Sequence, residues 1–304
     1  ERYLEIKLRD RRNSVLLLLQ APIVALILGV IVGGTVNDGK TLFIAAIISV
    51  WFGANNAIRE IVAEETIYRR ERLASLRIAP YLLSKFAVLS GAALLQCVAF
   101  VGILVALDRV RGADFPVLLL LLFVTSLAGV AVGLFFSALV SSTEKAMTVL
   151  PLILIPQLLL SGFFKPVDDV YVNVRTGRAV AAVQAQGARR DGQAVAGAAE
   201  RAPADSVVKN EGLGPAAPLS ALMIARWATD GLVHAVSIDD ARARDRLAAQ
   251  LTMRGYDAVL ESRPPAVVAR RFRQRVLLDV SIVAGFVLGF LGLTAWALAR
   301  KDAL

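Results

Sequence analysis

Six stretches of this chain, at roughly 14–34, 41–58, 84–107, 116–140, 146–164 and 276–299, are apolar over about the 20 residues that a helix needs to cross a bilayer. Hydrocarbon offers no partner for a backbone amide, so such runs confine the chain to helices that satisfy their own hydrogen bonds. Composition agrees: 57% of the residues are hydrophobic, against roughly 45–50% in an ordinary soluble domain, and the mean hydropathy is +0.63. The expectation is an all-α integral membrane protein with six transmembrane helices. Arg11 and Arg12 precede the first run as they would a signal peptide, but the run is too long and no Ala-x-Ala site follows. The sequence opens on Glu1 rather than Met, which leaves room for a segment ahead of it.

Six crossings put both termini on one side, and the short loops say which. Arg2, Lys7, Arg9, Arg11 and Arg12 precede the first span, and Arg59, Arg69, Arg70, Arg72 and Arg77 lie between the second and third. The short loops of the other side carry Lys40, Arg109 and Arg111. Positive charge collects on the cytoplasmic side, so both termini are expected there, and Arg300 and Lys301 agree. Arg270, Arg271, Arg273 and Arg275 stand on the predicted outside, but their loop has about 110 residues and long loops are largely exempt from the rule. The net charge of +9 is therefore a topology signal, and no RNA- or DNA-binding motif accompanies it.

The chain divides accordingly. Residues 1–164 hold a juxtamembrane segment and spans one to five, 165–275 form a long extracytoplasmic loop, and 276–304 hold the sixth span and a short cytoplasmic tail. Within the loop, residues 175–214 are rich in Ala, Gly and charge, which predicts weak packing. The following PLSALMIARWATDGLVHAV is apolar but interrupted by Arg226 and Asp230, so it reads as an amphipathic or re-entrant helix at the outer face, with Trp227 at headgroup level. Residues 237–275 alternate charge with Leu and Ala and read as exposed helix.

Residues 51–86, WFGANNAIREIVAEETIYRRERLASLRIAPYLLSKF, leave the second span, run through a charged segment and enter the third. Charge alone makes this a solvated positive-inside loop, with pairs such as Glu65 and Arg69 at helical spacing. Its pattern, however, resembles the permease domain of ABCG-type (white) ABC half-transporters in their bacterial form. The residues that carry the resemblance are Glu65, Tyr68, Arg70, Glu71, Arg72, Tyr81, Ser84 and Lys85, followed by LLLSGFFKP at 158–166 and ARWATDGL at 225–232. Asp230 departs from the family's usual Glu, and the Ala/Gly-rich insert has no counterpart.

That resemblance implies an exporter permease of the cytoplasmic (inner) membrane, working as a dimer of this chain and moving an amphipathic or lipid-like substrate out of the cytoplasm or inner leaflet. Its ATP and magnesium would be bound by an ABC nucleotide-binding domain, upstream in the same polypeptide or on a partner chain. Arg59, Glu60, Glu64, Glu65, Arg69, Arg70, Glu71 and Arg72 would then couple the ATPase to the membrane. The second and fifth spans would line the cavity with Trp51, Phe52, Asn55, Leu152, Gln157 and Leu160. ERYLEIKLRDRR is similar to the family's connecting helix, or else is an anchor drawn to anionic lipid. Arg226, Trp227 and Asp230 mark the outer re-entrant helix.

Gly29/Gly33, Gly129/Gly133 and Gly285/Gly289 each form GxxxG, read first as packing within a subunit. Pro151 and Pro156 should bend the fifth span. No GxxxxGK[ST] phosphate loop or HExxH occurs, His234 is the single histidine, and Cys97 in its apolar run reads as packing, so no catalytic or metal site is expected in residues 1–304. An intramembrane enzyme is disfavoured on that ground, and the remaining alternative is a sensor or scaffold that uses a permease fold to pass on signal or force.

The topology has a direct test. Single cysteines at Ala196 and at Ser75, in a Cys97→Ala background, are expected to label oppositely with an impermeant thiol reagent. Labelling of the Ala196 site only after the membrane is opened would reverse the orientation.

Overall fold

The structure, a computed structural model, describes residues 11–31, 39–73, 76–110, 115–161, 170–173, 207–210, 217–236 and 265–302. The apolar runs are helices: α1 Arg11–Ile31, α2 Gly39–Ala57, α4 Ile78–Ala106, α5 Phe115–Leu139, α6 Thr143–Leu160 and α9 Pro265–Asp302. Between α2 and α4 lie a 3-10 turn, Val62–Glu64, and a polar helix, α3 Glu65–Leu73. Local chemistry sets several ends. The Ser142 hydroxyl accepts the Lys145 amide at 3.3 Å, with Glu144 in the first turn, which caps α6 where its amides lack helical partners. Pro80 lies in the first turn of α4, where its missing N–H costs little.

Five helices among the described residues are long and apolar enough to cross a membrane: Thr41–Leu73, Ile78–Ala106, Phe115–Leu139, Thr143–Leu160 and Val276–Asp302. The described apolar part of α1, Leu17–Ile31, is shorter. Their outward surfaces are apolar: Ile23, Ile27 and Val30 on α1, Leu152 and Ile155 on α6, and Leu277, Leu288 and Leu293 on α9 are all exposed. Contiguous surface of this kind is rare on soluble monomers and is what a lipid-facing helix presents.

Helix α2 sits at the centre and packs most extensively on α5. The two backbones touch. A β-carbon on Gly53 would lie 2.7 Å from the Val130 amide nitrogen, and one on Gly133 would lie 2.8 Å from the Ala54 carbonyl and the Ala57 β-carbon. Lipid tails are as apolar as leucine, so helices in a bilayer associate through close contact of this kind at small residues. The Gly129/Gly133 pair thus serves packing inside the subunit, as its sequence suggests, while Gly285 and Gly289 of α9 meet nothing within 4 Å. Helix α9 packs on the other side of α5, and α1 leans on α4.

Polar contacts show which ends belong together. The Ser137 hydroxyl of α5 accepts the amides of Ile61 and Val62 at 3.0 and 3.1 Å, and Lys301 Nζ of α9 reaches the Val140 carbonyl at 3.4 Å. The charged α2–α4 segment, the start of the α5–α6 turn and the last turn of α9 therefore share one end of the bundle. At the other, Arg109 Nε donates to the Gly29 carbonyl at 2.8 Å.

Beyond α6 the chain forms a short antiparallel pair, β1 Val170–Asn173 with β2 Val207–Asn210, in the register Val170↔Asn210 to Asn173↔Val207. A short helix, α7 Ala217–Ser220, then leads into α8 Ile224–Val236. Helix α8 packs against α9, α2 and α5, with Ala225, Ala228, Thr229 and Leu232 buried. It thus lies among the bundle helices. The last helix begins at Pro265, so the arginines at 270–275 extend α9 instead of forming a separate exposed helix. Residues 1–10, 174–206 and 237–264 lie outside the described residues, and with them the connecting segment and most of the Ala/Gly-rich stretch.

The central contact predicts a contrast. Gly53→Val and Gly133→Val should each cost about 1–3 kcal/mol or more through overpacking against backbone. Gly285→Ala should be neutral, or stabilise its helix by up to about 1 kcal/mol. Thermal unfolding in detergent distinguishes them, and equal losses at all three positions would refute the packing.

Candidate functional site

The polar segment that leaves α2 is built from the helix end upward. After Ala57 the chain tightens through Glu60 N to Ala57 O at 3.1 Å, Ala63 N to Arg59 O at 3.0 Å and Glu64 N to Ile61 O at 3.2 Å. Ser137 takes up the Ile61 and Val62 amides, which the bend would otherwise leave without acceptors. The segment is then fixed to α4 by Lys85, whose side chain is 1% exposed. Its ammonium donates to Glu64 Oε2 at 2.6 Å and to the Glu60 carbonyl at 3.2 Å, and lies 5.3 Å from the centre of the Tyr81 ring. A buried ammonium is costly unless it is paired and hydrogen-bonded, and both conditions are met.

Helix α3 presents a second set of contacts to the last turn of α9. Arg72 Nε donates to Asp302 Oδ2 at 2.7 Å, and the Tyr68 hydroxyl donates to the same oxygen at 3.3 Å. Lys301 Nζ lies 3.5 Å from Glu65 Oε1, which also receives Arg69 at 3.0 Å. Arg72 additionally donates to the Leu76 carbonyl. Burial first, and then the Asp302 carboxylate, pushes the Tyr68 phenol up to about 12, so it remains a donor at neutral pH. The hydrogen bond to Asp302 likewise holds the Arg72 guanidinium above its usual value. A cleft of about 290 Å³ lies between α3 and the end of α9, with Ile61, Val62 and Leu298 among its apolar lining.

Of the expected coupling residues, the structure thus joins Glu64 to α4, and Glu65 and Arg72 to α9. Arg69 and Arg70 face outward, and Arg59, Glu60 and Glu71 are half-buried along the segment. The expected cavity residues separate. Trp51 is half-buried and Phe52 wholly buried, stacked on it at 6.2 Å and edge-on to Phe100 at 5.9 Å, so Phe52 backs Trp51 inside the subunit. Asn55 Nδ2 donates to Gln20 Oε1 of α1 at 3.1 Å. Leu152 is 65% exposed and Leu160 half-buried on α6. Gln157 is buried, and its Oε1 accepts the Ala225 amide at 2.9 Å, which caps α8 from α6. Arg226 lies 5.0 Å over the Trp227 ring and donates to Ser220, the Trp227 indole donates to the Ala221 carbonyl, and Asp230 is buried.

The described residues form a membrane bundle with a polar helix clasped at one end. Residues 1–176, more than half of the chain, match the family described as ABC-2 type transporter. The chain belongs to that family. It is also 31% identical, over 139 residues, to the ABC transporter ATP-binding/permease protein Rv1747 of Mycobacterium tuberculosis (strain ATCC 25618 / H37Rv). That match covers 43% of this chain but 16% of the relative, so the chain spans a small part of that protein's length. This ABC-2 type permease is accordingly a multi-pass membrane protein.

Four participants went beyond what sequence reasoning assigned to the site. Lys85 was legible as a charge within an apolar span, a position that demands a partner. Lys301 read only as a topology marker and Asp302 gave no signal, because the partners lie some 230 positions away in sequence (Arg72 with Asp302). Gln96, which receives Asn56 Nδ2 at 2.6 Å and donates to the Leu17 carbonyl at 2.7 Å, gave no signal beyond its polarity.

The anchor and the surface pair of this permease should differ in weight. Glu64→Ala removes the carboxylate nearest a buried ammonium and is expected to cost up to about 3 kcal/mol. Arg69→Ala breaks an exposed i,i+4 pair and should cost less than about 0.5 kcal/mol. Detergent thermal shifts measure both, and comparable losses would mean that Lys85 is not the anchor.

Proposed function

We propose that this chain is the membrane half of an ATP-driven exporter of the ABCG type, with six spans and both termini in the cytoplasm of a bacterium's inner membrane. A second copy of the chain completes it, and an ABC nucleotide-binding domain that binds ATP and magnesium powers it. The carrying observation is α3: a nine-residue polar helix at one end of an apolar bundle, anchored at Glu64 and Arg72 while Arg69 and Arg70 point away from it. Exposed ion pairs contribute only about 0–1 kcal/mol each, so stability is a weak reason for so much charge there. Docking to a moving domain is a better one.

Two further features support the reading. Arg300 stacks over the exposed Trp296 at 5.6 Å on α9, one turn before the clasp, which is the pairing of an aromatic and a cation expected at a headgroup boundary. The relative from Mycobacterium tuberculosis bears a name that joins ATP binding and permease in one protein, which suits an ATPase ahead of this segment. We assign the substrate path to Trp51 and Asn55 of α2 together with Leu152 and Leu160 of α6, with Phe52 and Gln157 as supports behind them. Its mixed aromatic, amide and aliphatic character fits an amphipathic or lipid-like substrate.

The decisive test reverses two charges of α3. Glu65→Arg with Arg70→Glu, in the full-length protein carrying its ATPase, should leave insertion intact but separate ATP hydrolysis from substrate flux in one reconstituted preparation. Both rates at wild-type level would return the segment to a topology signal.

A further inference from the structure

Helix α3 is too short to persist alone in water, where isolated helices below about 12–15 residues are marginal. Two attachments hold it. One is the Lys85–Glu64 bond to α4, and the other is the pair of polar ties from Asp302 and Lys301 of α9 to Arg72, Tyr68 and Glu65. The groups of the second attachment line a cleft of about 290 Å³ between α3 and the end of α9, and apolar contact accompanies them, since Tyr68 of α3 shares a buried cluster with Ala297 and Leu298 of α9. The directional part of this joint is polar.

Helix α9 runs from Pro265 to Asp302, about 57 Å at 1.5 Å per residue. It therefore extends the length of the bundle, and it packs extensively on α8. We infer that Asp302 and Lys301 are positioning residues that fasten α9 to α3, so that a displacement of α3 is carried along α9 to α8. This rests on the coupling role proposed for α3 and adds its route to the opposite face. One carboxylate oxygen shared by a guanidinium and a phenol suits the task, because charge-assisted contacts of fixed geometry transmit direction as well as attraction.

The experiment uses the full-length transporter in proteoliposomes with Cys97→Ala and a reporter cysteine at Leu222, which is 60% exposed just before α8. ATP should change the rate at which that cysteine labels. Asp302→Asn should abolish the change and lower flux by about 2- to 30-fold, the span of effects seen for residues that carry coupling, while ATP hydrolysis continues. The exchanged pair Arg72→Asp with Asp302→Arg should restore both, which a merely structural loss would not. If wild-type labelling responds to ATP and Asp302→Asn responds equally, the route through α9 is wrong while the coupling role of α3 stands. If wild-type labelling ignores ATP and reversal of Glu65 and Arg70 is silent as well, the coupling reading fails and this inference with it. Should Asp302→Asn not fold, the exchanged pair decides: a folded exchange that has lost the ATP response overturns the inference.

Discussion

Everything in this bundle is arranged around the contact between α2 and α5, where two backbones meet without intervening side chains. Gly53 against Val130, and Gly133 against Ala54 and Ala57, bring the helices to the closest separation that peptide geometry permits. Water supplies the drive to bury apolar surface in a soluble protein, but a bilayer does not, so attraction between spans must come from contact area and dispersion. Small residues supply that area. With α2 held so tightly, its continuation past Ala57 emerges at a fixed place, and Ser137, four residues beyond Gly133, is in position to receive the Ile61 and Val62 amides.

Around that axis the polar side chains serve as connectors. Asn56, Gln96 and the Leu17 carbonyl join α2, α4 and α1, while Asn55 reaches Gln20 on α1. Gln157 holds the first turn of α8, and Lys85 holds the turn before α3. Each element that lacks a small-residue seam has a hydrogen bond in its place. Groups of this kind contribute modestly in membranes, about 1 kcal/mol each, because the separated helices also find partners. They specify which helix sits where more than they stabilise the whole.

The helices were legible in the sequence because hydrophobic length is a one-dimensional property, and Gly129/Gly133 was legible because three intervening residues place both on one helix face. Trp51, Asn55 and Gln157 were recognised as polar or aromatic groups within spans, but not their directions. A run that is apolar on all sides carries no amphipathic phase, so nothing in 41–58 says that Phe52 turns inward to Phe100 or that Asn55 turns to α1. The same lack of phase hid Gln157, whose partner is a backbone amide and so leaves no trace in residue identity. The β1–β2 pair escaped notice because its strands are four residues each and lie either side of the Ala/Gly-rich stretch. Asp302 was unreadable for a different reason: a surface carboxylate acquires meaning only from the arginine opposite it.

The position of α1 bears on how the protein is made. Its main neighbour is α4, which begins at Ile78, 47 residues after α1 ends at Ile31. At about 5–20 residues per second that interval lasts roughly 2–9 s, during which α1 exists without the surface it will pack against. A helix that waits in this way has to tolerate hydrocarbon on every side. From Val15 to Ile31 it carries one hydrogen-bonding side chain, Gln20, and its final docking is made by that amide, the Leu17 carbonyl and the Gly29 carbonyl instead of by a charged or strongly polar face. So plain a helix at the edge of the bundle suits that interval.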